Sequence, residues 1–367
     1  MADVLIWDST ERSPELRHEL PLGIGDPFLY AERDGVRHVV IASMEIPRFA
    51  TLDGLELHPP EEFGYDELVR SGMSRDAALL EVAARACAAL GVARAAVPAM
   101  FPVEVADRLR AEGIELEPQH ELFDLRRRTK TPAELAGIRR AQAAAEAGMS
   151  AAAELLRAGG PVTSEEIKAV IDAAFMAHGC SCDEFIVSHG AQSAIGHNMG
   201  AGEVEPGEPV VIDIWPRDRE SACFSDMTRT FVIGEPTAEL VEWHRLVKEA
   251  LDRSLALIRP GVRGREVFDA ACEVFEAAGY PTQRTKEPGS PLDRGFYHGL
   301  GHGVGLEVHE APGMGFAGSD TLQAGDVVTV EPGLYRPGTG GCRLEDLVLV
   351  TGDGYENLTR FPYDLQP

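Results

Sequence analysis

Between residues 28 and 119, short apolar runs alternate with longer alanine- and leucine-bearing stretches, and glycines mark the junctions. Residues 36–43 (Val-Arg-His-Val-Val-Ile-Ala-Ser) follow the Arg33-Asp34-Gly35 turn and predict a strand. The alanine-rich stretch 77–90 predicts a helix, closed by Gly91 as a C-terminal cap. A short strand at 95–98, a helix at 103–112 ending at Gly113, and a strand at 114–118 complete the alternation. This is the pattern of a small α/β unit, and it carries no cluster of reactive side chains. A basic run, Leu125-Arg126-Arg127-Arg128-Thr129-Lys130, follows and reads as a solvated linker. Thr131, Pro132 and Glu134 then occupy the N-cap, first and third positions of a capping box, which starts a long helix over 132–157. Further helices are expected at Ser164–Ala177, 238–257 and 263–278, with strands between them. The fold class is α/β (α+β), and 367 residues favour two domains, placed at 1–128 and 129–367.

Within the second domain the pattern repeats. Gly207-Glu-Pro-Val-Val-Ile-Asp213 aligns with Gly325-Asp-Val-Val-Thr-Val-Glu331, each placing a carboxylate six residues after a turn glycine. A second carboxylate follows each after a loop. Asp226 opens the apolar run ending at Gly234, and Glu345 opens the one ending at Gly352. Two hairpins related in this way would bring four carboxylates to one point, which surface solvation does not explain. Between them runs His298-Gly-Leu-Gly-His302-Gly-Val-Gly-Leu-Glu-Val-His309, three histidines interleaved with four glycines. Glycines so dense weaken a helix, so this segment reads as backbone crowding a site.

Composition narrows the partners. A formal net charge of −26 argues against nucleic acid or an anionic membrane surface, both of which need a basic face. No apolar run reaches the length of a membrane span. The N-terminal Met1-Ala-Asp-Val-Leu-Ile-Trp-Asp lacks the basic start and long apolar stretch of a signal peptide, so a cytoplasmic protein is expected. Six cysteines in a chain of this length are not a disulfide framework. Cys180-Ser-Cys182 is too closely spaced for a structural zinc pair. Reduced, buried thiols are expected, with Cys342 worth watching because it lies three residues from Glu345.

Asp213, Asp226, Glu331 and Glu345 with one histidine of the glycine-rich segment make four negative charges and one imidazole. Without cations such a set repels itself at high cost, and two divalent ions balance it. Oxygen-rich donors without sulfur favour Mn²⁺, with Co²⁺ or Zn²⁺ as alternatives. A pair of such ions turns a bridging water into a hydroxide nucleophile near neutral pH.

These residues, with Ser225-Asp226-x-Thr228-Arg229-Thr230, Glu331-Pro332-Gly333 and Arg343-x-Glu345-Asp346 around them, make a chain that resembles the pita-bread metallopeptidases of the prolidase and Xaa-Pro aminopeptidase type. The resemblance covers nearly the whole chain. It implies a creatinase-like N-terminal domain before a pita-bread catalytic domain with an internal pseudo-twofold repeat. It also implies cleavage of the bond before proline in short peptides. By similarity, Asp213 holds one metal ion, Asp226 and Glu345 bridge, and His302 with Glu331 completes the other. Glu331 also takes the proton of the bridging water. His309 steadies the tetrahedral intermediate, His197 stands near the scissile amide, and His298 lines the pocket for the residue after the cut. Arg343 supports the carboxylates and the substrate pocket. A homodimer is implied, its N-terminal domain covering part of its own or the partner's cleft. His189 and His244 are read as structural.

The loop between Asp213 and Asp226 departs from the resemblance. It is about two residues longer than usual, and Trp215-Pro216 replaces a small glycine-containing start. Aminopeptidase and dipeptidase therefore both stay open. Two other classes on this fold are a creatinase-like amidinohydrolase of a small non-peptide substrate and a non-catalytic binding protein. Both typically replace the ligand positions, which are all filled here.

Overall fold

The computed structural model describes residues 3–318 and 320–367. It divides into two compact units, Met1–Arg127 and Arg128–Pro367.

The first unit is built on a six-stranded mixed sheet. From one edge to the other it runs Leu55–His58, Val36–Val40, Phe28–Arg33, Asp3–Asp8, Arg94–Val97 and Glu115–Pro118. Apolar side chains alternate to both faces. Leu5, Leu29, Ala31 and Val40 pack on one side with Val82, Ala83 and Leu109. Val4, Ile6, Tyr30 and Val39 pack on the other with Leu16 and Phe49. The alternation expected over 28–119 leaves out Asp3–Asp8, a strand paired on both sides. The predicted helix at 77–90 begins earlier, at Arg75, because the Ser74 hydroxyl caps it by accepting from the Ala77 N–H.

The second unit repeats one plan. Helices Pro132–Ala158 and Ser164–Ala177 pack together over the strands Ile186–His189, Pro209–Ile214 and Met227–Val232. Helices Ala238–Leu255 and Gly264–Ala277 pair likewise, over the sheet containing Val327–Val330 and Asp346–Val350. The capping box predicted at the start of the long helix is present. The Glu134 N–H donates to Thr131 Oγ1 at 3.2 Å, and the Thr131 N–H donates to Glu134 Oε2 at 2.8 Å.

The basic run is not a solvated linker. Its arginines end the helix His120–Arg128, and Arg127 and Arg128 are buried. In the first unit Arg126 reaches Glu19 and Glu32, each at 2.8 Å. In the second, Arg128 forms a two-point pair with buried Asp326, and buried Lys130 meets Glu310 at 2.6 Å. Charges out of water are tolerated where such partners meet them.

Candidate metal centre

Two antiparallel hairpins carry the acids. In the first, Pro209–Ile214 pairs with Met227–Val232 so that Asp213 faces Thr228. In the second, Val327–Val330 pairs with Asp346–Val350, its end register matching Val330 with Asp346. Glu331 and Glu345 thus stand just beyond the paired ends, and Asp226 just before its strand. Buried cross-links join the hairpins. The Glu345 N–H donates to the Thr228 carbonyl at 3.1 Å. Arg229, fully buried, donates to the Glu345 carbonyl at 2.7 Å and to Asp346 Oδ1 at 3.0 Å.

His302 arrives from the glycine-rich segment, on the short strand Gly301–Gly303 between Glu310–Met314 and Val327–Val330. The crowding expected there comes from neighbouring strands. A Cβ on Gly301 would lie 2.1 Å from the Thr329 carbonyl oxygen, and one on Gly303 would lie 2.3 Å from that of Ala311. Only glycine lets the three strands close around the histidine.

Donor atoms of Asp226, His302 and Glu345 lie within 4.8 Å of one another. His302 Nε2 is 3.5 Å from Glu331 Oε1 and 3.8 Å from Asp226 Oδ2. Its Nδ1 lies 3.1 Å from the Gly303 carbonyl, which fixes the proton there and turns the Nε2 lone pair toward the acids. The Thr228 hydroxyl stands 2.8 Å from Asp213 Oδ1 and 2.7 Å from Glu345 Oε2, touching an acid from each hairpin. Arg343 donates to Asp213 Oδ2, to Thr228 Oγ1 at 3.2 Å and to the Tyr335 hydroxyl at 2.9 Å. The same hydroxyl lies 2.9 Å from His298 Nε2.

Electrostatics here follow burial. Asp226 is held well above the usual carboxylate range by burial and then by Asp213 and Glu331. Glu345 is raised in the same way, by burial and then by Asp226, Glu331 and Asp213. Burial pushes Glu331 up to about 8, with Arg343 opposing and Asp213 adding to the rise. Burial, and then the His309 ring, lowers His302 to about 4. Burial and then Arg343 lower His298 to about 3. Acids driven toward protonation beside an imidazole kept neutral form a donor set that divalent cations would relax, so the residues present fit such ions.

All nine residues singled out in the sequence line one cavity of about 750 Å³: Asp213, Asp226, His302, Glu331, Glu345, His197, His298, His309 and Arg343. The His302 and His309 rings stand 4.2 Å apart. His189 makes structural contacts, reaching Glu208 at 3.0 Å and the Ala201 carbonyl at 3.1 Å. Cys342 is fully buried in the apolar core, and its thiol is pushed up to about 12 by burial. The reading missed Tyr335 and gave Thr228 no role. The place of Tyr335 emerges only in the fold, where a Cβ on Gly333 would meet its phenol oxygen at 2.4 Å. Trp215, from the unusual loop, also lines the cavity. That loop is anchored by buried Asp218, which accepts from Arg140 at 3.0 and 2.8 Å and from the Ser221 hydroxyl at 2.6 Å.

A repeated helix-pair-and-hairpin unit whose two halves each supply two acids to one centre defines a pita-bread protein with a carboxylate–histidine site. The chain belongs to metallopeptidase family M24, whose profile matches residues 136–352. It is 33% identical over 239 residues to an Xaa-Pro dipeptidase of Pyrococcus furiosus, an alignment spanning 64% of each chain. The chain thus spans less than two-thirds of that relative's length. Among solved structures, an Xaa-Pro dipeptidase from Bacillus anthracis superposes over 100% of this chain and 94% of that one, with TM-score 0.81 and 26% identity. An X-Pro aminopeptidase from Thermotoga maritima superposes over 99% and 97%, with TM-score 0.79 and 25% identity.

Proposed function

We propose that this chain is a metallopeptidase cleaving the bond before proline in short peptides, with two divalent cations per chain. The observation that carries this reading is the convergence of four acids and four histidines on a single cavity. Asp213 would hold one ion, Asp226 and Glu345 both, and His302 with Glu331 the other. Mn²⁺ suits the oxygen-rich set best, with Co²⁺ or Zn²⁺ as alternatives. When bound, the cations polarise the scissile carbonyl and lower the pKa of water.

The chain's own groups do the rest. Glu331 accepts the proton of the attacking water. His309 donates to the carbonyl oxygen as negative charge develops on it. His197 serves the departing amine, and His298 lines the site for the residue after the cut. Arg343, clamped between Tyr335 and Asp213, keeps that carboxylate in place. A proline amide offers no N–H to an enzyme that grips extended backbone, and this site asks for none.

Dimeric assembly belongs to the same proposal. So does a cytoplasmic setting, which the six free cysteines favour. The test combines elemental analysis with hydrolysis of an Xaa-Pro dipeptide and an Xaa-Pro-Yaa tripeptide. Chelation should abolish activity and Mn²⁺ or Co²⁺ should restore it. The faster of the two substrates separates dipeptidase from aminopeptidase. Full activity in a verified metal-free preparation would sink the reading. Sedimentation showing only active monomer at micromolar concentration would remove the dimer.

A further inference from the structure

The first unit carries a second group of metal-ligating side chains that the proposed activity does not use. Strands Val36–Val40 and Leu55–His58 run parallel, and their register pairs His38 with Glu56 and Val40 with His58. His38, Glu56 and His58 therefore share one face of the sheet, two of them on its edge strand. Val40, on the same face, belongs to the apolar cluster there, so the group stands at the rim of a packed core. His38 is buried, His58 is half-buried and Glu56 is exposed. We propose that His38 Nδ1, His58 Nε2 and Glu56 form a binding site for a borderline transition-metal cation, Zn²⁺ by preference, with water completing the shell.

Two observations point the same way. The first is spacing. Bonds of about 2.0–2.1 Å in a tetrahedron set neighbouring donor atoms about 3.3 Å apart. His38 Nδ1 lies 3.2 Å from His58 Nε2 and 3.3 Å from a Glu56 carboxylate oxygen. One donor atom from each of the three residues falls within a common 4.8 Å. The second is orientation. Glu62 Oε2 lies 3.0 Å from His58 Nδ1, placing a proton on that nitrogen and leaving the Nε2 lone pair facing His38. A carboxylate behind a ligating imidazole is the usual way of fixing tautomer and raising ligand basicity. Two nitrogens to one oxygen favour Zn²⁺ over Mn²⁺ or Mg²⁺. This preference is opposite to that of the acid-rich centre, and it does not depend on what that centre catalyses.

The experiment uses the full chain, stripped of metal and loaded with Zn²⁺. Bound metal is counted after desalting in three forms: wild type, Asp226→Ala with Glu345→Ala, and His38→Gln with His58→Gln. The acid double variant should retain one zinc per chain, and the histidine double variant should lose one relative to wild type. Anomalous scattering at the zinc edge should place an ion about 2.0–2.1 Å from both histidine nitrogens. Glu56→Gln, at an exposed position, should weaken this zinc at least tenfold, which keeps the test available if the histidine variant misfolds. Equal zinc counts in wild type and the folded histidine variant, or no zinc in the acid variant, would overturn the site. So would an anomalous map with no peak between the rings.

Discussion

Asp213 and Glu331 occupy matching places in the two hairpins, yet their surroundings differ. Asp213 is gripped from two sides, by the Arg343 guanidinium and the Thr228 hydroxyl. Glu331 meets no comparable donor among the described residues. It lies 3.5 Å from His302 Nε2, and burial pushes it up to about 8. A repeated backbone has therefore given one acid a fixed orientation and left the other a lone pair to spare. The first arrangement suits a permanent ligand, the second a ligand that also handles a proton.

Exchanging the acids for their amides should separate these roles most sharply. Glu331→Gln keeps the size and should lower kcat by about 10²–10⁴, the contribution expected of a positioned general base. Asp213→Asn should instead reduce bound metal, read by elemental analysis beside kcat. An active Glu331→Gln enzyme would refute the hydrolytic mechanism.

The histidines offer the next contrast. His302→Ala should lose metal together with activity, because its Nε2 faces the acids. His309→Ala should keep its metal and lose about 10²–10³ in kcat, the scale of one lost oxyanion donor. Metal loss from His309→Ala with retention in His302→Ala would reverse the two assignments.

A smaller effect should follow from loosening the grip on Asp213. Arg343→Lys cannot reproduce contacts to Asp213, Thr228 and Tyr335 at once. Metal affinity should fall by about 10–100-fold. Tyr335→Phe removes one of those contacts and should cost less. An Arg343→Lys enzyme binding metal as tightly as wild type would show that the clamp is incidental.

The smallest signal is in stability. In ion-free protein the folded-state pKa of Glu331 is raised from 4.5 to about 8. The folded chain then holds a proton that the unfolded chain has released. That stabilisation is complete below about pH 4.5 and is lost as pH rises through about 8. His298 and His302, with lowered pKa, act in the opposite sense below about pH 6.5. The Tm of chelated protein should therefore fall between about pH 6.5 and 8 and recover with Mn²⁺, while Glu331→Gln should flatten the slope. A Tm independent of pH in chelated wild type would contradict it.

The acids were legible because their spacing from turn glycines repeats, and strand register does the rest. The segment holding His302 was legible as part of a site because glycines so dense weaken a helix, and the family resemblance singled out His302 within it. The charges at 125–130 were misread for a complementary reason. Lys130 and Arg128 find their partners 180 and 198 residues further along, at Glu310 and Asp326. No local pattern announces such a pair. Asp3–Asp8 escaped because a six-residue run with acids at both ends looks like a frayed terminus until flanking strands are known. Tyr335 escaped because its importance rests on a hydroxyl shared between Arg343 and His298, a relation created only by packing.

Under the proposed ligand set, the division of donors between two hairpins bears on how the protein acquires its ions during biosynthesis. A nascent chain that has emerged as far as the first hairpin presents only Asp213 and Asp226, a weak pair for any divalent cation. The remaining donors arrive with His302, Glu331 and finally Glu345, whose backbone N–H must dock on the Thr228 carbonyl. Metal loading therefore waits until both halves have been synthesised and joined. The choice of ion is then made by the folded chain from whatever its compartment supplies.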